Sequence, residues 1–241
     1  MSGTVYGVGL GPGDPELMSV KADRLVRTGK HVAFFRKAGR PGHARRIVEG
    51  MLSDNAIEFP MEYPVTTEIP VADPLYNEML SAFYARCTDH ICALVAAGED
   101  VVVLCEGDPF FYGSFMHLYT RLRDDVAVEV VPAITGMSAA WTATGEPITW
   151  GDDILTVLMG TLPVTTLSTA MERADALVVM KIGRHLPKVR SALEAAGKLE
   201  RAWLIQHAAM AGQTVTPLRE VSGDVTPYFS IVVVHGQGRR P

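Results

Sequence analysis

Short apolar runs alternate along this chain with longer stretches whose apolar residues recur every three or four positions. An unbroken apolar run of about 4–8 residues is typical of a strand covered on both faces, and the longer pattern is typical of an amphipathic helix. The clearest run is Val-Val-Val-Leu-Cys at 101–105, and a helical stretch over 74–97 leads into it. The alternation predicts an α/β fold built on parallel strands.

The order of these runs predicts two α/β domains, an N-terminal domain over 1–134 and a C-terminal domain over 135–241. Five strand runs joined by helical stretches indicate a parallel five-stranded sheet in the first domain. The second is expected to hold a mixed sheet. The predicted strands are 4–10, 31–35, 57–60, 101–105, 126–131, 154–158, 176–181, 202–206 and 228–235. The predicted helices are 15–26, 42–52, 74–97, 110–123, 137–144 and 186–196, and 63–73 is predicted to be a loop or lid.

Composition narrows the class of protein. The 241 residues are 48% hydrophobic and 20% charged, which is typical of a globular protein. No apolar run approaches the roughly 20 residues of a membrane span, and the N-terminus lacks the pattern of a secretory signal. We therefore expect a cytoplasmic protein without a membrane partner. A net charge of −5 argues against nucleic acid as a partner, and the three cysteines have no metal-ligand spacing.

The turn that follows run 101–105 is the first candidate site. It reads Glu106-Gly107-Asp108-Pro109 and is followed by a cluster of aromatic residues over 110–115. Ligands of open α/β sheets bind beyond the carboxyl ends of the strands, so the turn predicts a binding site with an aromatic wall. Alternatively, Asp108 only caps a helix that begins near Pro109. Both interpretations stay open at this point.

Glycines at positions 7, 9, 11 and 13 alternate through the end of the first predicted strand and the turn after it. Their spacing differs from the Gly-x-Gly-x-x-Gly of a pyrophosphate-binding loop. Pro12 has no backbone N–H to donate, and the carboxylate of Asp14 at the start of the next helix would repel a phosphate. The loop therefore favours a ligand without a pyrophosphate and argues against NAD.

A basic segment follows the second predicted strand. It comprises Arg36, Lys37, Arg40, His43, Arg45 and Arg46. Such a segment is usually a solvated surface, but guanidinium groups at the carboxyl end of a strand also suit a carboxylate-bearing substrate. Lys181 ends the apolar run 176–180 and either extends to solvent or meets a bound anion.

Three motifs taken together resemble the family of tetrapyrrole methylases that use S-adenosylmethionine. They are residues 7–17, 106–113 and 131–136, and the resemblance covers nearly the whole chain. Further segments are most similar to members that methylate a bridging carbon of a reduced tetrapyrrole; these are 33–40, 63–69 and 180–188. Two positions depart from the family pattern, Ala133 in place of the usual glycine and His-Ala-Ala at 207–209 in place of a polar, glycine-bearing turn.

The resemblance implies a homodimeric methyltransferase that binds S-adenosylmethionine between its two domains and acts on a small tetrapyrrole. The family motifs assign cofactor contacts to Pro12, Glu106, Gly107, Asp108, Phe111, Thr135, Gly136, Lys181 and Ala208. Substrate contacts are expected from Arg36, Lys37, Arg40, Arg45, Tyr112 and Arg184. No metal and no catalytic residue follow from the motifs, and the acceptor of the substrate proton is not identified.

Two other functions stay open from the sequence. One is methylation of another carbon of a corrin or porphyrin intermediate. The other is a non-catalytic protein that binds a tetrapyrrole or an adenosyl compound. The position of the added methyl group distinguishes the first alternative from the expected reaction. The presence or absence of turnover distinguishes the second.

Overall fold

The computed structural model describes residues 2–66, 69 and 73–240. They form two compact units, one ending at Thr135 and the other beginning at Gly136. The boundary expected from the sequence lies one residue earlier. The loop or lid predicted over 63–73 lies partly outside the described residues. Within the described ranges, no helix has the length and apolar character needed to cross a membrane.

The N-terminal unit is built on five strands. They are β1 Val5–Gly9, β2 His31–Lys37, β3 Ile57–Tyr63, β4 Val101–Cys105 and β5 Val128–Val131. All pair in parallel, in the order β3-β2-β4-β1-β5. The predicted parallel five-stranded sheet is thereby confirmed. Every residue of β4 is buried, as expected for a central strand covered on both faces.

Four helices cover this sheet, α1 Val20–Thr28, α2 His43–Ile47, α3 Pro74–Ala96 and α4 Phe115–Leu122. Apolar residues of α1 and α2 pack on one face, and those of α3 and α4 pack on the other. The chain therefore leaves β1 toward one face and leaves the adjacent strand β4 toward the opposite face. Such a point of divergence is where open α/β sheets bind ligands.

Three helices of this unit differ from their predicted bounds. The helix expected from Pro15 is interrupted, because Met18 is extended with ψ of 148° and Ser19 starts α1 by accepting the N–H of Ala22. The helix expected from residue 110 begins only at Phe115, since Tyr112 has a φ of 55° that a helix cannot contain. The helix expected to reach residue 52 ends at Ile47.

The C-terminal unit contains a second five-stranded sheet, with β6 Leu155–Met159, β7 Ala176–Met180, β8 Ala202–Gln206, β9 Thr214–Pro217 and β10 Ser230–Val234. Its order is β6-β7-β10-β8-β9, and only the β6–β7 pair is parallel. The predicted mixed sheet is confirmed. Helix α5 Gly136–Ala143 packs on one face, while α6 Val164–Arg173 and α7 Leu186–Ala195 pack on the other.

Two elements of the C-terminal unit were not predicted. Helix α6 begins Val-Thr-Thr-Leu-Ser-Thr, and its β-branched and hydroxyl residues weaken the helical signal. Strand β9 is a four-residue edge strand that ends in Pro217, and short, polar, proline-containing edges carry little strand signal.

Gly7→Ala should destabilise the N-terminal unit by about 1–3 kcal/mol, because the added methyl would overlap the ring of the buried Phe115. Urea unfolding measures the change in the free energy of unfolding. The matched control is the double variant Gly7→Ala/Phe115→Leu. Since a smaller side chain makes room for the methyl, the double variant should lose less stability than the sum of the two single variants. Additive losses would contradict the proposed overlap.

Candidate functional site

The loops that follow β1 and β4 are joined by their backbones. The N–H of Leu10 donates to the carbonyl of Cys105 at 2.9 Å, and the N–H of Gly107 donates to the carbonyl of Gly11 at 2.8 Å. Gly11 and Gly107 form an antiparallel bridge, with φ of 79° and 67°. Only glycine adopts this backbone region without strain, which explains two of the glycines in the motifs. The two candidate loops therefore form one continuous structure at the point of divergence.

Gly9 lies where a third loop joins the first two. A Cβ atom at this position would be 2.6 Å from the Cβ of Ala133, 2.8 Å from Cδ of Pro109 and 2.9 Å from the carbonyl oxygen of Gly107. No side chain fits between these atoms. The close approach of the loops after β1, β4 and β5 therefore requires glycine at this position.

Asp108 ties two of these loops together with its side chain. Its Oδ1 accepts the N–H of Phe110 at 2.9 Å, and its Oδ2 accepts the N–H of Ala133 at 2.9 Å. Because α4 begins only at Phe115, Asp108 caps a turn and not a helix. The prediction that Asp108 caps a helix is therefore wrong. Its hydrogen bond to Ala133 links the loop after β4 to the loop after β5.

Glu106 is the first residue after β4 and its side chain is only partly exposed. It makes no hydrogen bond or ion pair with any residue that the structure describes. Desolvation raises the pKa of this carboxyl to about 7, and the positive charge of Arg46 acts in the opposite direction. Next to it, a Cβ on Gly107 would meet no atom within 4 Å, so open space adjoins the turn. A carboxyl without a partner beside open space suits a cationic ligand group.

The aromatic cluster after Pro109 divides between surface and core. Phe110 and Tyr112 are about half exposed, whereas Phe115 is buried at 1% exposure. The ring of Phe111 contacts Tyr112 edge-on at a centroid distance of 4.9 Å. Phe110, Phe111 and Tyr112 are thus available to a ligand, and Phe115 belongs to the core.

Acidic residues of β3 neutralise part of the basic segment. Arg45 makes a bidentate pair with Glu58, at 2.7 and 2.8 Å, and its hydrogen bond lowers the pKa of that carboxyl. Arg36 contacts Glu62 at 2.6 Å from Nη2. Lys37 donates to the hydroxyl of Thr66 at 3.3 Å.

Two of the predicted substrate residues have no such partner. Arg40 and Arg184 are exposed, and neither guanidinium group forms a hydrogen bond or ion pair within the part of the chain that the structure describes. Their guanidinium groups can bind an external carboxylate without first releasing an internal one. The substrate role of Arg36 and Arg45 stays a prediction. In that role, each guanidinium group would contact a substrate carboxylate while it stays paired with its glutamate.

The C-terminal unit carries strained backbone at one edge of its sheet. Strands β7 and β8 both run antiparallel to β10, so their carboxyl ends lie at the same edge. Lys181 follows β7 with a φ of 53°, while His207 and Ala209 follow β8 with φ of 53° and 56°. Left-handed non-glycine residues cost free energy and concentrate at functional sites. The side chain of Ala208 packs with Ile205 and Val233, so this residue offers a ligand mainly its backbone.

The family model named Tetrapyrrole (Corrin/Porphyrin) Methylases matches residues 4–222. The chain belongs to the tetrapyrrole methylases. A precorrin-2 C(20)-methyltransferase from Sinorhizobium sp is 46% identical over 239 residues, which cover 99% of this chain and 98% of that protein. A cobalt-precorrin-2 C(20)-methyltransferase from Salmonella typhimurium is 28% identical over 242 residues, 98% of each chain.

A solved structure with the same fold is the uroporphyrin-III C-methyl transferase from Thermus thermophilus complexed with S-adenyl homocysteine. It is 23% identical to this chain, with a TM-score of 0.67, and the match covers 97% of this chain and 92% of the other. At this identity, the similarity shows the shared architecture of the tetrapyrrole methylases.

The structure gives a physical account of both departures from the tetrapyrrole methylase pattern. The methyl of Ala133 lies opposite Gly9, which has no side chain, so the loops approach closely without a glycine at position 133. In the turn after β8, His207 and Ala209 adopt the left-handed conformation that glycine favours. The chain therefore retains a glycine-like backbone in that turn and accepts the strain.

Several residues around the candidate site were not predicted from the sequence. Glu58 and Glu62 pair with the basic segment. The predicted strand 57–60 ended before Glu62, whereas the observed β3 extends to Tyr63 and carries both glutamates. The hydroxyl of Tyr63 hydrogen-bonds that of Ser114. That contact joins β3 to the start of α4, two elements distant in sequence, and no local pattern predicts it.

Glu106→Gln should stabilise the protein at alkaline but not at acidic pH. The pKa of Glu106 rises from its ordinary value of 4.5 to about 7 in the folded chain. The folded state therefore binds the proton more tightly, and wild-type stability falls as pH rises through this window. Glutamine does not ionise, so it removes this loss. The free energy of unfolding of the variant should exceed that of wild type by up to about 3 kcal/mol above about pH 8, and the two should be equal below about pH 4.

Urea unfolding across pH measures this difference. Glu200→Gln is the matched control, because Glu200 is an exposed acid whose carboxylate pairs with Arg219 far along the chain from this turn. A gain for Glu106→Gln that is the same at every pH would contradict the raised pKa of Glu106.

Proposed function

We propose that this chain is a precorrin-2 C(20)-methyltransferase, which methylates precorrin-2 at the bridging carbon C(20) to give precorrin-3A in cobalamin biosynthesis. The observation that carries the proposal is the 46% identity, over essentially the full length of both chains, to the Sinorhizobium enzyme of that name. The sequence segments 33–40, 63–69 and 180–188 favour the same member of the family. Methylation of another carbon of the macrocycle is the second candidate, since tetrapyrrole methylases of different names share the fold.

S-adenosylmethionine is proposed as the methyl donor, because the residues at the carboxyl edge of the N-terminal sheet fit it. Pro12 has no backbone N–H to donate to a pyrophosphate. The carboxyl of Glu106, which has no partner among the described residues, suits a cationic amine or sulfonium. When bound, this cofactor supplies a methyl group on a positively charged sulfur that leaves as a neutral thioether. The proposed contacts from this unit are Pro12, Glu106, Gly107, Asp108, Phe111 and Thr135.

The C-terminal unit is proposed to contribute Gly136, Lys181 and Ala208. Lys181 and Ala208 lie in the two turns after β7 and β8, at one edge of that unit's own sheet. Strained backbone in these turns supports a functional role, because such strain is retained where it serves a site. The family resemblance supports the identity of the ligand.

The tetrapyrrole is proposed to lie against the basic segment, with its peripheral carboxylates bound by guanidinium groups. The candidates are Arg36, Lys37, Arg40, Arg45 and Arg184, with Tyr112 as an exposed aromatic neighbour. Methyl transfer from a sulfonium to an electron-rich carbon needs alignment more than a nucleophile, and alignment lowers a barrier by roughly 7–11 kcal/mol in favourable cases. These contacts would therefore select the carbon that meets the methyl group. A cytoplasmic homodimer completes the proposal.

The deciding experiment is anaerobic incubation of the purified chain with S-adenosylmethionine and enzymatically prepared precorrin-2. We expect one added methyl by mass spectrometry, and carbon NMR should assign it to C(20). A methyl at another carbon would support the second candidate. Binding of S-adenosylhomocysteine and tetrapyrrole without any turnover would instead identify a non-catalytic binding protein. Parallel assays with and without cobalt in the macrocycle determine which form is the substrate.

Arg40→Ala should raise the KM for the tetrapyrrole roughly 10-fold or more, because a hydrogen bond to a charged group contributes about 1.5–3 kcal/mol. The affinity for S-adenosylhomocysteine should not change. Steady-state kinetics and calorimetry measure the two quantities. Arg219→Ala is the matched control, since Arg219 is an exposed arginine of the C-terminal unit paired with Glu200. An unchanged KM in Arg40→Ala would remove Arg40 from the substrate site.

A further inference from the structure

Methylation of a bridging carbon leaves a proton to be removed. The π electrons of the enamine carbon form the new carbon–carbon bond, and the sulfur–methyl bond breaks with its electron pair retained by sulfur. C(20) then carries both a methyl group and its original hydrogen. Conjugation returns when the C(20)–H bond breaks and its electron pair re-enters the ring system. The reaction therefore needs a base close to C(20).

We propose that the carboxylate of Glu106 accepts this proton, a role beyond the cofactor contact assigned to it above. The inference rests on the proposed function. The proton passes from C(20) to a carboxylate oxygen of Glu106, which becomes a neutral carboxylic acid and returns the proton to solvent after product release. No oxidant, metal or further reactant enters the step.

The position of Glu106 in the sheet supports this role. It is the first residue after β4, which lies between β2 and β1 in the sheet order. The cofactor contacts proposed for this unit lie in the loops after β1, β4 and β5, and most of the proposed substrate contacts lie in the basic segment at and beyond the end of β2. A group that removes a proton from the methylated carbon has to lie where cofactor and substrate meet, and Glu106 is the cofactor contact that directly follows β4, the strand next to β2.

Competing acids of the same edge are already engaged. Both oxygens of Asp108 accept backbone N–H groups, from Phe110 and Ala133. Asp14 accepts the N–H of Glu16 at 2.9 Å. Glu106 differs because it forms no hydrogen bond or ion pair with a described residue. Its oxygens are therefore available to accept a proton from a ligand.

The charges around Glu106 come from several elements. Arg46 of α2 favours its ionised form, while desolvation favours its neutral form and raises its pKa to about 7. Asp108 lies two residues further in the same turn, Asp14 lies in the loop after β1, and Arg36 and Lys37 end β2. A general base works best with a pKa near the working pH, which this balance provides.

Glu106→Gln tests the proposal at saturating S-adenosylmethionine and precorrin-2. We expect kcat to fall by roughly 10²–10⁴-fold, the usual contribution of a positioned base. The dissociation constant of S-adenosylhomocysteine, measured by calorimetry, should rise by far less than kcat falls, because glutamine still offers the cofactor amine an acceptor oxygen. With precorrin-2 deuterated at C(20), the variant should show a primary isotope effect larger than that of wild type, because breaking the C(20)–H bond becomes rate-limiting.

Two further readouts do not depend on turnover by the variant. Protein labelled with carbon-13 at the glutamate carboxyl should show one resonance that is absent from Glu106→Gln and titrates near pH 7, the value expected for Glu106. In wild type, kcat should fall as pH drops through this value.

Two further variants complete the test. Glu106→Asp should restore part of the lost kcat, since it returns a carboxylate, and Glu200→Gln should retain wild-type kinetics.

Unchanged kcat in Glu106→Gln, with weaker binding of S-adenosylhomocysteine, would overturn the proposal and leave Glu106 as a cofactor contact only. A fall in kcat without an increased isotope effect would also overturn it. Wild-type protein that adds no methyl at C(20) would instead refute the proposed function, so the two failures are distinguishable.

Discussion

The absence of a side chain at Gly9 is the constraint on which the N-terminal site depends. Strands β1, β4 and β5 are adjacent in the sheet, and the loops that leave them converge on this one residue. A methyl group here would separate the loops and break the register between Gly11 and Gly107. The same convergence brings Ala133 within reach of Asp108. Steric exclusion at one position thus holds three loops in a fixed arrangement.

The electrostatics of the edge follow from that arrangement. Both carboxylate oxygens of Asp108 accept backbone N–H groups and hold the loops together. The carboxyl of Glu106 is partly desolvated and has no hydrogen-bond partner among the described residues. Along the neighbouring strands, Glu58 and Glu62 hold two arginines of the basic segment in fixed positions. The guanidinium groups of these two arginines are already bound to carboxylates, whereas that of Arg40 is exposed without a carboxylate partner among the described residues. Rigid and adaptable cations therefore lie side by side on the proposed substrate side.

The fold was largely predictable because strand runs such as 101–105 carry a strong local signal, and the motifs fixed the family. Helix starts were less predictable, since the left-handed Tyr112 and the extended Met18 are set by loop packing and not by residue type. The candidate site was predictable only as a location, because Glu106 and Asp108 directly follow the strand run 101–105, and their contacts with a cofactor stay a prediction. It was not predictable where distant residues meet, as with Tyr63 and Ser114, or where a non-glycine residue such as His207 accepts strain.

Choice of the methylated carbon is a property of the loops and not of the sheet. The Thermus enzyme, named for uroporphyrin-III, shares the architecture at a TM-score of 0.67 with only 23% identity. The sheet architecture is therefore shared by methylases of different names. Since β4 ends between the basic segment of β2 and the glycine loop after β1, a base at Glu106, as proposed, would restrict proton removal to one bridging position. A single carboxyl would then act both as a base and as a determinant of which carbon completes the reaction.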